Sequence, residues 1–213
     1  MKTNMKHFLL LITAFAFIGL QSCSKDDPTP EEDQEEVGGA VLTFTEVERE
    51  SHGDHYHYND IADAEVEEVK FSGNPLLPPT GAHLHLEVGK TYRLTLVAKD
   101  FAGRETQQTF VDRDDIHNVF ILGAPKKETL TYVYADKKAD GTKVNVGVTG
   151  YLTINEEAST FDLRYILRHL NPGVKSSITP ADWNNADFTK FSGENDLDLR
   201  VGVHLVKEGD HDH

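Results

Sequence analysis

The segment Leu197–Val206 is the strongest constraint in the chain: Leu197, Leu199, Val201, Val203 and Leu205 alternate with Asp198, Arg200, Gly202 and His204. An extended chain points successive side chains to opposite faces, so a period of two with one wet face commits the segment to a half-buried strand. Phe161–His169 repeats the pattern, with Phe161, Leu163, Tyr165 and Leu167 set against Asp162, Arg164, Ile166 and Arg168. Val41–Glu48, Ala64–Phe71, His83–Val88, Thr91–Ala98, His117–Leu122, Thr129–Ala135 and Val146–Ile154 read the same way, broken by Gly, Pro, Asn and Asp. Six to nine such strands without a sustained helical period predict an all-β chain, a single immunoglobulin-like antiparallel β-sandwich over residues 40–207. One helical turn is expected at Pro180-Ala181-Asp182-Trp183, capped by Thr179.

Residues 1–39 read as an address. Lys2, Lys6 and His7 precede the 13-residue apolar run Phe8–Leu20, which is the layout of a secretory signal and too short to span a bilayer. Leu20-Gln21-Ser22-Cys23 resembles a bacterial lipobox, so Cys23, the one cysteine of the chain, is expected to carry a lipid and begin the mature protein. Ser24-Lys25-Asp26-Asp27 then looks like the export signal of Bacteroidetes surface lipoproteins. Residues 23–39 form an acidic tether stiffened by Pro28 and Pro30. Removing residues 1–22 takes away two lysines and no acid, which leaves 19 basic against 36 acidic side chains, net −17. That balance argues against a nucleic-acid partner, because phosphate binding needs a basic face.

Histidine carries the chemistry. His52, His55 and His57 lie in SHGDHYHYND, His83 and His85 in GAHLHLE before Glu87, and His211 and His213 in the tail 208–213. Three His-x-His pairs occur where shuffling gives about half of one. On a strand, residues i and i+2 share a face about 7 Å apart, and two imidazoles leaning inward reach one ion at about 2.0–2.1 Å. His83, His85 and Glu87 are then expected on a wet face, with Leu84 and Leu86 toward the core. Imidazoles plus a carboxylate suit Zn²⁺, with Cu²⁺, Ni²⁺ or Co²⁺ as competitors. His117, His169 and His204 stand alone on strands. His117 and His204 join His52, His55, His57, His83, His85 and Glu87 as candidate ligands, while His169 and His204 also sit where an imidazole caps a strand or bonds a loop. Protons compete with metal for imidazole, so binding is expected to weaken as pH falls through about 6.5.

Other chemistries find less. Asp112, Asp114 and Asp115, or Asp136 and Asp140, offer oxygens for calcium, but their spacing matches no calcium loop. A haem reading takes two histidines as axial ligands with Tyr56 and Tyr58 lining the plane, and it needs a deep apolar pocket. The single tryptophan, Trp183, is the residue a sugar-binding platform would use. No His-Glu-x-x-His, Gly-x-Ser-x-Gly, Gly-rich phosphate loop or Cys-His pair occurs. No catalytic residue is expected, and the chain reads as a binding protein.

The lipobox, the acidic tether, the first strand AVLTFTEV, Val88-Gly89-Lys90-Thr91-Tyr92 and the closing strand Asp196–Val206 together resemble the small surface lipoproteins of Bacteroidetes encoded beside TonB-dependent receptors, some of them histidine-rich. The resemblance implies an outer-membrane protein facing the cell exterior, anchored by its lipid, that partners a TonB-dependent receptor and captures or hands over a cargo. The inner histidine clusters favour a metal cargo, zinc foremost, over a sugar. A protein- or glycan-binding lipoprotein with histidine-decorated loops is the competing reading.

Overall fold

The structure, a computed structural model, describes residues 36–207. The signal stretch, Cys23, most of the tether and the tail with His211 and His213 lie outside the described residues.

The fold is all-β, with antiparallel sheets packed as a sandwich. The first sheet contains β1 (Gly39–His52), β2 (His55–Asp60), β3 (Val66–Ser72), β5 (Thr91–Lys99), β7 (Leu130–Tyr134) and β10 (Thr149–Ile154), in the order β2-β1-β5-β10-β7 with β3 also paired to β1. The second contains β4 (His83–Glu87), β6 (His117–Leu122), β11 (Phe161–Leu170) and β12 (Gly193–Val206), in the order β4-β12-β11-β6. A two-residue ribbon joins β8 (Asp136–Lys137) to β9 (Lys143–Val144). One pairing departs from the expected antiparallel scheme: β4 runs parallel to β12.

The alternation read from the sequence is the alternation of burial. Leu163, Tyr165 and Leu167 of β11 and Leu197, Leu199, Val201 and Val203 of β12 meet Leu42, Phe44, Leu94 and Leu96 of the first sheet in one core. Each such aliphatic side chain, fully buried, contributes roughly 1.5–3 kcal/mol. A second, smaller core forms on the outer face of β11, where Phe120, Ile166 and Leu170 receive Phe188 and Phe191 from the segment before β12. That explains Ile166 in a polar position of the pattern: its face is covered too.

The expected turn at Pro180 is a 3₁₀ turn, Pro180–Asn184, with Thr179 and Asp182 forming its capping box. Trp183, at its heart, is buried with its ring 6.0 Å from Tyr132, so it offers no open platform to a sugar. One short α-helix, α1 (Gln107–Asp112), precedes β6 and buries Phe110 and Val111. Among the described residues no helix is long and apolar enough to cross a membrane.

Candidate metal centre

The fold sorts the candidate histidines into three groups. The first sits at the turn joining β1 to β2, where His52 is the direct cross-strand partner of His55 and His57 lies two pairs further in, opposite Glu50. Nδ1 of His55 is 3.1 Å from Asp54 Oδ1, and Nε2 of His55 is 3.1 Å from Nε2 of His57. The carboxylate only accepts, so His55 donates through Nδ1 and receives the Nε2–H of His57. The three rings lie 4.6–6.3 Å apart by centroid, all exposed. Tyr58 stacks flat on Tyr151 of β10 at 3.7 Å, and the Arg49 guanidinium lies 4.7 Å over Tyr56. Both tyrosines thus pack the hairpin rather than line a haem plane.

The second group is on the outer face of the second sheet. Parity puts His83 and His85 outward while Leu84 and Leu86 are fully buried. The parallel pairing of β4 with β12 sets His204 directly beside His85. Centroid separations are 4.6 Å for His83–His85, 4.8 Å for His83–His204 and 5.5 Å for His85–His204. The Nδ1–H of His83 donates to the Gly81 carbonyl at 2.8 Å, which leaves its Nε2 as the lone-pair nitrogen.

Glu87 does not share this open face. The chain turns back at Gly89 (φ +91°) into β5, so Tyr92 and Lys90 cover it: its backbone N–H donates to the Tyr92 hydroxyl at 2.9 Å, and its carboxylate is 3.9 Å from Lys90 Nζ. The carboxylate that interacts with this strand is Glu67 of β3, which accepts from the His85 backbone N–H and which sequence spacing had no means to supply. Burial pushes the Glu67 carboxyl above its ordinary pKa, Glu65 adds to the rise, and His85 and His83 act against it.

The two exposed groups do not meet. Glu67 opposes Phe44 on β1, and His52 lies eight residues further along that strand, roughly 26 Å of extended chain. Capture by His52–His57 acting jointly with His83–His85 is therefore replaced by two separate surface clusters.

In the third group His117 is buried, and His169 and Asp196 are partly exposed. His117 of β6 and His169 of β11 are direct cross-strand partners, with ring centroids 4.9 Å apart. Asp196 joins them, with Oδ2 3.5 Å from His117 Nε2 and Oδ1 3.8 Å from His169 Nδ1. The three ligand atoms lie within 4.8 Å of one another. His117 is fully buried against Phe110 and donates through Nδ1 to the Arg113 carbonyl at 2.9 Å. Lys175, pushed down to about 8 by burial, donates to the backbone oxygen of His117 at 2.6 Å, on the main-chain side of the group. Gly193 lets β12 start this close to β11: at φ +149° a Cβ there would fall 2.0 Å from the His169 carbonyl oxygen.

The acidic stretches are otherwise engaged. Asp136 gives its oxygens to the backbone N–H groups of Val146, Gly147 and Thr149. Asp114 pairs with Lys138, and Asp140 takes the Thr142 N–H in its own turn. Among the described residues these carboxylates form no group of three with ligand atoms near enough to share an ion.

Comparison with known proteins adds little. No protein-family model matches the chain, and no curated protein matches it. Domains 4 and 5 of the S-layer protein SbsC align with it at a TM-score of 0.28 and 12% identity, over 67% of this chain and 63% of that one.

Proposed function

We propose that the protein is a lipid-anchored outer-membrane protein, facing the cell exterior, that captures a divalent transition metal, zinc foremost, and passes it to a TonB-dependent receptor. The observation that carries this reading is the meeting of His83, His85 and His204 on one open face. Three imidazoles form a nitrogen donor set that suits Zn²⁺ and leaves a fourth position for water or for a receiving ligand. Exposure suits capture and release, because an ion held on a surface leaves without opening the fold. The hairpin group His52, His55 and His57 supplies a second, looser collection point. The lipobox and acidic tether support the location, and a binding role needs no catalytic residue.

Zinc titration by calorimetry of the full-length protein tests this. Submicromolar binding is expected, and His83→Ala/His85→Ala/His204→Ala should weaken the tightest surface binding by about a hundredfold. His52→Ala/His55→Ala/His57→Ala should cost less, and deletion of residues 208–213 least. If the tail deletion is the damaging change, the open face is not the capture site.

A further inference from the structure

We propose that His117, His169 and Asp196 form a second divalent-metal site, half-buried at one end of the sandwich and built to retain an ion across three strands. It stands apart from the open face: His204 and Asp196 are eight residues apart on β12, roughly 26 Å of strand. Its existence does not depend on whether the open face captures metal.

The backbone creates the site in two steps. The antiparallel register of β6 and β11 places His117 opposite His169 on the inner face, in the parity of Val119 and Leu167. The ladder between β11 and β12 then slips: Leu167 pairs with Leu197 but Arg168 pairs with Asn195, so Asp196 is an extra residue opposite no partner. A bulge of this kind re-aims a side chain out of the regular alternation. Here it turns a carboxylate toward the two imidazoles. Arg168 fixes the bulged strand by donating to Phe191 O, Asn195 Oδ1 and Gly193 O at 2.7–2.8 Å.

The geometry is close to what an ion needs. Tetrahedral zinc at about 2.05 Å sets neighbouring donor atoms about 3.3 Å apart; here His117 is 3.5 Å from one Asp196 oxygen and His169 3.8 Å from the other, and one ligand atom from each residue lies within 4.8 Å of the rest, so small side-chain adjustments close the set. The His117 Nδ1–H bond to Arg113 O fixes the ring so that Nε2 is the nitrogen directed at Asp196, the arrangement that orients metal-binding histidines. Asp196 Oδ2 is buried with no hydrogen-bond partner among the described residues. A buried carboxylate oxygen without a donor is costly, and a coordinated cation removes that cost. Asp196 also borders a cleft of about 420 Å³ with Asn74, Pro75, Phe101 and Asp198. Two nitrogens and one oxygen suit zinc, and three protein donors leave one position for that water.

Cobalt(II), a spectroscopic stand-in for zinc, tests the site in full-length protein whose His52, His55, His57, His83, His85 and His204 are all replaced by alanine. One ion per chain should bind, with the visible absorption of a four- or five-coordinate ion. Tm should rise by roughly 5–10 °C at about a hundredfold excess over Kd. In that background Asp196→Asn, nearly isosteric, should weaken binding by at least about tenfold and remove the Tm rise; His169→Gln, at a partly exposed position, should do the same if the asparagine variant does not fold. Absence of a visible band and of a Tm shift, or undiminished binding by the Asp196 and His169 variants, would show that the trio is a hydrogen-bonded ion pair only. Failure of the open-face reading appears elsewhere, as equal zinc binding by wild type and the six-histidine variant.

Discussion

Asp136 shows what a buried carboxylate requires. It is 2% exposed and accepts from the backbone N–H groups of Val146, Gly147 and Thr149 at 3.0, 2.6 and 2.7 Å. Burial still holds its carboxyl above the usual range, with the three donors pulling the other way. Replacing it with asparagine sets an amide NH₂ against backbone N–H groups, so Asp136→Asn should cost about 1–3 kcal/mol in denaturant unfolding. An unchanged midpoint would mean the loop carrying Gly147 rearranges freely. Among the described residues Asp196 Oδ2 has no such donor, and that difference separates a structural acid from a candidate ligand. At this scale the sequence was legible only in part. Parity placed His83 and His85 on one face. It also placed Glu87 there, because spacing carries no information about the turn at Gly89 that folds Lys90 and Tyr92 over it.

Strands β11 and β12 were readable because over most of their length an apolar face alternates with a polar one, Ile166 on the covered stretch of β11 being the exception. Strand β2 escaped, because five of its six residues are exposed and no apolar face marks it. Helix α1 escaped because six residues complete fewer than two turns, too few for a period. Pairing between strands was equally hidden: His204 reaches His85 only through the parallel β4–β12 ladder, which no local pattern encodes. The ladder of β11 and β12 is further tied by Arg164, which donates to both oxygens of Asp198 at 2.7 and 2.5 Å. That guanidinium holds the Asp198 carboxyl below its ordinary value. A depressed folded pKa means a contribution fully present above the unfolded value of about 3.9 and lost as pH falls through the folded one. Asp198→Asn should therefore cost up to about 1 kcal/mol at pH 7, with the gap to wild type closing below about pH 4. A gap that stays constant down to pH 2 would show that the pair is not linked to stability.

The whole molecule carries a formal charge of −15, which attracts cations and repels anionic partners. Screening shortens that field to about 8 Å at physiological salt. Zinc association measured by stopped flow should therefore slow roughly three- to tenfold between about 10 and 150 mM salt, most of it in the on-rate. A salt-independent rate would mean that local imidazoles alone govern capture. Molecule-wide, the sandwich leaves its open histidines on sheet faces and hairpin ends, whereas the inner trio depends on one slipped pair between β11 and β12. That slip has a consequence for descent. Residues on both sides of Asp196 already pair in regular order, so deleting its single codon would heal the ladder and shift no other residue's register. A lineage carrying this sandwich can gain or lose the acid of its inner site by one in-frame triplet while every other strand keeps its partners.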